Sequence, residues 1–260
     1  MIKVDCKKYA DEILEKVSSV KDKGDLLIVT TGLDPASESY VKGKMKDAEK
    51  CGIETLKVTV KDQAELDSIV NWGNYQPTIR GIIVQLPLTK DFDEVRSVNQ
   101  VCINKDVDGF RPDSPFSPCT PEGIMYLLKK ELGDLTGKTA LVIGRGKLVG
   151  EPIAKMLLDA NCTVTMAHSK TKDLESYLYW HGYDIIISAV GKPAFIDLRR
   201  CECEIIVDVG IGMKDGKLYG DCYNFDSCSN MCMKVVTIPN GIGLMTRAML
   251  MAHVARLELM

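Results

Sequence analysis

The runs "LLIVTT" (residues 26–31) and "GIIVQL" (81–86) are apolar without alternation. A strand with one wet face alternates polar and apolar residues. A run with no polar face has to be covered on both sides, as in a parallel sheet between helices. The intervening segments supply those helices. An amphipathic stretch over 6–24 precedes a strand at 25–32, then a helix at 35–52, a strand at 54–60, a helix at 62–74, a strand at 79–88 and a short helix at 91–101. Strands alternating with helices predict an α/β fold built on a parallel sheet. "NKDVDGFRPDSPFSPCTP" breaks the rhythm with prolines at 112, 115, 118 and 121 and reads as the approach to a domain boundary. A helix opened by Pro121 follows. The alternation then restarts with a strand at 138–144, a helix at 147–160, a strand at 162–169, a helix at 173–182 and strands at 183–191 and 203–210. An apolar-rich helix over 241–259 comes last. The 260 residues leave room for two modest domains.

A net charge of −3 gives no electrostatic footprint for nucleic acid or an acidic membrane surface. The N-terminus "MIKVDCKKYADEILEK" has no apolar core of a secretory signal, and no apolar run approaches a membrane span. The expectation is a cytoplasmic protein without nucleic-acid or membrane partners. Ten cysteines raise the question of metal, but Cys201/Cys203 is C-x-C, Cys228/Cys232 is C-x-x-x-C, and only three histidines accompany them. Cysteine serving as a small core hydrophobe in a reducing cytosol fits better, and no metal site is expected.

"TALVIGRGKLVGEP" is strand, glycine turn, helix, with Gly144, Gly146 and Gly150 spaced G-x-G-x-x-x-G. At the head of a second βαβ series this reads as a dinucleotide turn. Glycine lets the backbone approach a pyrophosphate, and the helix N-terminus beyond favours the anion. The plainer alternative is a tight turn needing glycine for shape only. NAD enzymes usually place an acid after the next strand. Here "AHSKT" gives His168, Ser169, Lys170 and Thr171, with Arg145 in the turn itself. Such groups suit a 2′-phosphate and lean toward NADP, unless Lys170 is simply solvated.

"SESYVKGKMKDAEKCG" (37–52) contains four lysines on a helix started by Asp34-Pro35 and stopped by Gly52. At about 100° per residue from Tyr40, the apolar stripe of Val41, Met45 and Ala48 lies at roughly 80–140°. Lys42, Lys46 and Lys50 fall on the wet side, whereas Lys44, at about 40°, sits on the shoulder of the stripe one turn from Tyr40. Either it snorkels, or it is a partly desolvated lysine beside an aromatic platform, suited to proton transfer. Gln85 ends the strand in "VQLPL", where polar residues face a ligand crevice or merely terminate a strand. In "KDVDGF", Asp108 offers a carboxylate to a fork of N–H donors. Alternatively Asp106 and Asp108 cap a turn. Gly241 and Gly243 in "TIPNGIGLMT" permit close backbone approach.

"DPAS..SYV...K", "GIIVQLPL", "KDVDGF", "PCTPEGIM.LL", "GR.KLVGEP.A.LL", "CTVT.AHSKT", "AVGKP", "VDVGI" and "P.GIG.MT.AMLM" occur in this order over nearly the whole chain. Together they closely resemble the methylenetetrahydrofolate dehydrogenase/methenyltetrahydrofolate cyclohydrolase family. The resemblance implies an α/β fold of two domains with a cleft between them. The first is a catalytic domain over 1–120, completed by the last helix at 244–260. The second is a Rossmann-type NAD(P)-binding domain over 121–243. It implies a homodimer that oxidises 5,10-methylenetetrahydrofolate with NADP, or NAD in some members, and hydrolyses the methenyl cation to 10-formyltetrahydrofolate. By family pattern the catalytic set is Lys44, Tyr40, Gln85 and Asp108. Tyr40 stacks on the folate ring system, Gln85 hydrogen-bonds and tunes the lysine, and Asp108 holds the pterin. Ser37, Leu86, Pro87, Pro239, Asn240 and Gly241 complete the substrate set. Gly144, Arg145, Gly146, Leu148, Val149, His168, Ser169, Val190, Gly191, Gly210 and Ile211 form the cofactor set. The chain departs from the family where GRS commonly stands, with Gly146 in place of serine. It departs again at PGGVGPMT, with Asn240 and Leu244 in place of glycine and proline.

Overall fold

Leu26–Val29 and Ile82–Val84 are buried, as runs without a polar face require. The computed structural model describes residues 1–32, 34–179, 181–214, 217–225 and 233–259, so the Cys228/Cys232 pair lies outside the described residues. The chain divides into two compact units. One is Met1–Tyr9 with Thr120–Thr246; the other is Ala10–Cys119 with Arg247–Met260. The pattern of apolar residues does not announce the first strand, β1 (Ile2–Lys3), which pairs in parallel with Lys234 and Val235. This pairing carries the first nine residues into the unit with Thr120–Thr246 rather than into a domain spanning 1–120.

In the 10–119 unit, α1 (Cys6–Ser19) leads to β2 (Asp25–Thr30), α2 (Pro35–Cys51), β3 (Thr55–Thr59), α3 (Gln63–Tyr75), β4 (Ile79–Val84) and α4 (Glu94–Asn99). The three strands are parallel in the order β3-β2-β4. Leu27, Val29, Leu66, Val70, Ile82 and Val84 form the core between α3 and the sheet. Three helices here start on aspartate, each with its carboxylate accepting a first-turn N–H: Asp34 from Ser37, Asp62 from Glu65 and Asp93 from Arg96.

The 120–246 unit opens with α5 (Cys119–Leu132) and continues through β5 (Thr139–Ile143), α6 (Gly150–Asp159), β6 (Thr163–Ala167), α7 (Leu174–Tyr179) and β7 (Ile185–Ser188). Then come β8 (Ile196–Asp197), β9 (Ile205–Asp208), the antiparallel hairpin β10 (Gly212–Lys214)–β11 (Lys217–Tyr219), β12 (Cys222–Tyr223) and β13 (Lys234–Val236). Six parallel strands run β1-β13-β9-β7-β5-β6. The chain goes from β5 to β6 on one side and returns to β7 on the other. The carboxyl ends of β5 and β7 therefore form a topological switch point, where open α/β sheets bind ligands. The last helix, α8 (Ile242–Val254), ends earlier than expected.

Gly73, in the last turn of α3, is required by packing. A Cβ there would lie 2.5 Å from Leu27 Cδ2 and 3.2 Å from Ile82 Cδ1. Gly73→Ala gains helix propensity of up to about 1 kcal/mol but overpacks the core by about 1–3 kcal/mol. The expected net result is a lower urea midpoint, by about 1 kcal/mol of stability. A midpoint equal to or above that of the parent chain would show that the α3–sheet contact has slack.

Candidate functional site

The buried face of α2 differs from the one its apolar residues suggest. Val41, Lys44, Asp47, Ala48 and Cys51 are buried, Met45 only partly, and Lys42, Lys46, Glu49 and Lys50 are exposed. At about 100° per residue this face centres at roughly 40°, so Lys44 stands at its middle and not on its shoulder. Two polar residues enter a buried face because each finds a partner far along the chain. Asp47 accepts from Arg247 Nε at 2.7 Å. Lys44, 3% exposed, sets its Nζ 3.8 Å from Asp108 Oδ1 and 5.2 Å from the centroid of the Tyr40 ring. Asp34 caps the helix through Oδ2, which accepts from both the N–H and the hydroxyl of Ser37 at 2.8 and 2.6 Å. The Ser37 hydroxyl proton is thus committed to the cap.

The turn 106–109 resolves the two aspartates. Asp106 accepts from the N–H groups of Phe110 and Arg111 at 3.4 and 2.9 Å and shapes the loop. Asp108, 8% exposed, is the one that meets Lys44. Gly109 has φ 71°, and a side chain there would strike the Ser117 carbonyl. Burial pushes the Asp108 carboxyl above the ordinary carboxylate range. Lys44 pulls the other way, ahead of smaller contributions from Asp106 upward and His253 downward.

Gln85 follows β4 and extends its ladder by donating its N–H to Val29 O at 2.8 Å. Its Nε2 donates to Leu86 O at 2.6 Å, while its buried Oε1 has no partner among the described residues. The hydrogen bond from Gln85 to Lys44 that the family resemblance implies is absent among the described residues: the amide N–H turns to its own neighbour, and Lys44 faces Asp108. Leu86 is half-buried and Pro87 exposed, across a cis peptide bond.

His253 is the residue that the spacing of motifs did not single out. It lies buried near the end of α8, with Nδ1 2.8 Å from Val107 O and its ring stacked on Phe116 at 4.6 Å. Cys119 Sγ approaches the same Nδ1 at 3.5 Å. Since Nδ1 donates to the Val107 carbonyl, the imidazole braces the turn that holds Asp108. The signal available in the sequence was a histidine within an apolar-rich helix.

In the 120–246 unit a cavity of about 460 Å³ lies at the switch point. It gathers Gly146, Leu148 and Val149 from the glycine turn, Val190 and Gly191 after β7, and Gly210 and Ile211 after β9. Leu148, Val190 and Ile211 are exposed apolar side chains on its rim. Gly144 has φ 110°, and a side chain there would strike the Ala189 carbonyl; one at Gly150 would strike Gly144. A Cβ on Gly146 would meet nothing within 4 Å among the described residues, so packing there does not demand glycine. The N-terminus of α6 carries no side-chain cap, which leaves it available to an anion. Gly144, Arg145, His168 and Ser169 do not line this cavity. His168 Nδ1 accepts from the Lys170 N–H at 3.1 Å, and its own N–H donates to Thr171 Oγ1 at 2.9 Å. Pro239 and Asn240 are exposed ahead of α8, and Asn240 has φ 68°, the left-handed conformation asparagine tolerates. Gly241 is buried, with no room for a Cβ beside the Thr237 carbonyl. These three belong to the 120–246 unit, whereas Ser37, Tyr40, Lys44, Gln85, Leu86, Pro87 and Asp108 belong to the other.

Two family profiles match. Residues 4–108 match the tetrahydrofolate dehydrogenase/cyclohydrolase catalytic domain, and residues 118–259 match the NAD(P)-binding domain of the same description. A protein of Dechloromonas aromatica described as bifunctional protein FolD is 38% identical over 272 residues, covering 96% of this chain and 94% of the relative. The crystal structure of the bifunctional enzyme FolD, methylenetetrahydrofolate dehydrogenase/cyclohydrolase, from Campylobacter jejuni superposes with a TM-score of 0.90 at 35% identity, covering 98% of each chain. The Trypanosoma brucei methylenetetrahydrofolate dehydrogenase-cyclohydrolase, complexed with NADP and an inhibitor, gives 0.88 at 26% identity over 97% of this chain and 95% of that one.

Lys44→Met leaves the buried Asp108 carboxylate without its cation. Breaking a buried pair from one side costs about 3 kcal/mol, and the cost depends on pH. Asp108 has a folded-state pKa raised above its unfolded value, so its stabilising contribution is full below the unfolded pKa and is lost as pH rises through the folded one. Removing Lys44 raises that folded pKa further. The substitution should therefore destabilise more at pH 8 than at pH 4.5 in urea titrations. A pH-independent difference would mean that Asp108 does not sense Lys44.

Proposed function

The chain belongs to the tetrahydrofolate dehydrogenase/cyclohydrolase family, and we propose that it oxidises 5,10-methylenetetrahydrofolate with NADP and hydrolyses the methenyl product to 10-formyltetrahydrofolate. The observation that carries this reading is the buried Lys44–Asp108 pair beside the Tyr40 ring, in a chain matched along both halves by the family's two domains. The relative complexed with NADP supports the cofactor. As part of the same proposal the protein acts as a cytoplasmic homodimer. Among the described residues no helix is long and apolar enough to cross a membrane.

The dinucleotide site fits the residues at the switch point. Backbone of the 144–150 turn and the uncapped start of α6 suit the pyrophosphate, Arg145 and the 168–171 turn suit a 2′-phosphate, and the apolar rim of Leu148, Val190 and Ile211 suits flat rings. Bound there, NADP supplies the hydride acceptor for the methylene carbon. The chain's own contribution to that step is alignment and exclusion of water.

Hydrolysis is the step for the buried pair. Tyr40 gives the ring system a stacking face, and Asp108 accepts from N–H donors on the pterin edge. Lys44 takes a proton from the water attacking the methenyl carbon. The carbon–oxygen bond forms first. The ring carbon–nitrogen bond then breaks as Lys44 passes its proton to the departing nitrogen, and the proton left on the new hydroxyl is released to solvent as the formyl C=O forms. Asp108 nearby balances the positive charge that Lys44 would otherwise set against a cationic carbon. The unpartnered Oε1 of Gln85 is an acceptor for the proton-bearing lysine or for a donor on the substrate.

Lys44→Met should lower methenyl hydrolysis by about 100-fold or more, while NADP binding, measured by fluorescence titration, stays within about twofold of the parent chain. Hydrolysis at the parent rate would remove Lys44 from the chemistry.

A further inference from the structure

Two carboxylates behind the cavity wall are used by no step above. Asp208 ends β9 and Asp221 follows the β10–β11 hairpin, and neither has any exposed surface. Asp221 Oδ2 accepts from Ser188 Oγ at 2.6 Å and from the Val190 N–H at 2.9 Å. Its Oδ1 accepts from the Lys192 N–H at 2.7 Å. Asp208 in turn accepts from the N–H groups of Asp221 and Cys222 at 2.9 and 3.0 Å. Burial pushes Asp208 up to about 6, against the pull of these two donors.

One side chain thus ties together the last residue of β7 and both ends of the 190–192 turn. It also reaches the opposite wall. A Cβ on Gly210 would collide with the Asp221 carboxylate, and one on Gly220 with that of Asp208. Val190, Gly191 and Gly210 line the cavity. Three donors converge on two oxygens, an arrangement that needs an acceptor-only group. An amide in the same place would turn an N–H against Lys192 or Val190.

We propose that Asp221 is a positioning residue for dinucleotide binding, its carboxylate holding the 190–192 turn and the Gly210 backbone at the separation the cofactor requires. This rests on the reading of the cavity as the NADP site. It gives the buried network a role in affinity and not in the chemical steps.

The test uses the full-length protein with Asp221→Asn and Ser188→Ala, measuring NADP affinity, dehydrogenase kinetics and methenyl hydrolysis on each preparation. Asp221→Asn should raise the Kd and KM for NADP about tenfold, with kcat at saturating NADP and the hydrolysis rate little changed. Ser188→Ala, which removes one of three donors, should give a smaller rise of the same kind, about two- to threefold. NADP affinity unchanged in Asp221→Asn overturns the proposal, as does a loss of hydrolysis in parallel with affinity. Should Asp221→Asn fail to fold, Ser188→Ala decides: weaker NADP binding with intact hydrolysis supports the role, and parent-like binding overturns it. Parent protein that binds no NADP defeats the underlying reading and is recognised separately.

Discussion

A lysine and an aspartate, both nearly removed from water, are tolerable only in each other's company. The Lys44–Asp108 contact at 3.8 Å is longer than a hydrogen bond, so neither group is fully satisfied by the other. That leaves the lysine nitrogen and the carboxylate with hydrogen-bonding capacity to spare, beside the face of the Tyr40 ring. A pair optimised for stability would close to a direct contact. The looser arrangement carries a cost in desolvation and keeps both groups available to a third molecule.

Much of the 10–119 unit can be understood as support for that contact. Asp34 fixes the first turn of α2, and Gly52, at φ 68°, ends the helix after Lys44 has been delivered to the sheet. Asp106 shapes the turn that presents Asp108, and His253 braces the same turn from α8. Arg247, near the middle of α8, holds Asp47 one turn beyond Lys44. The last helix is therefore tied to the 10–119 unit by polar contacts at two points, although more than 120 residues of the other unit intervene.

How much of this was legible in the sequence follows from the range of the forces involved. Unalternating apolar runs, aspartate caps and the glycine turn are local signals, and they located the main strands, the start of α2 and the switch-point turn. The angular position of Lys44 on α2 was legible too, but it was underestimated, because an apolar stripe is drawn from apolar residues alone. Lys44 and Asp47 are buried on account of Asp108 and Arg247, partners that no helical wheel contains. The same limit separates Asp106 from Asp108. Both stand two residues apart in one turn, and only the packing of α2 against that turn decides which one meets the lysine. β1, two residues long, is a strand only because β13 offers an edge. Nothing local marks Asp221, since its partners Ser188, Val190 and Lys192 lie about thirty residues back in the chain.

The claim at the centre is that one chain carries an oxidation at the glycine-turn cavity and a hydrolysis at the buried lysine. The most direct measurement supplies a single preparation of the unaltered protein with 5,10-methylenetetrahydrofolate and NADP. NADPH, the methenyl form and 10-formyltetrahydrofolate are then followed in the same reaction. The expected result is NADPH formation accompanied by 10-formyltetrahydrofolate, appearing faster than the methenyl form hydrolyses unaided. NADPH with methenyltetrahydrofolate decaying only at its spontaneous rate would contradict it.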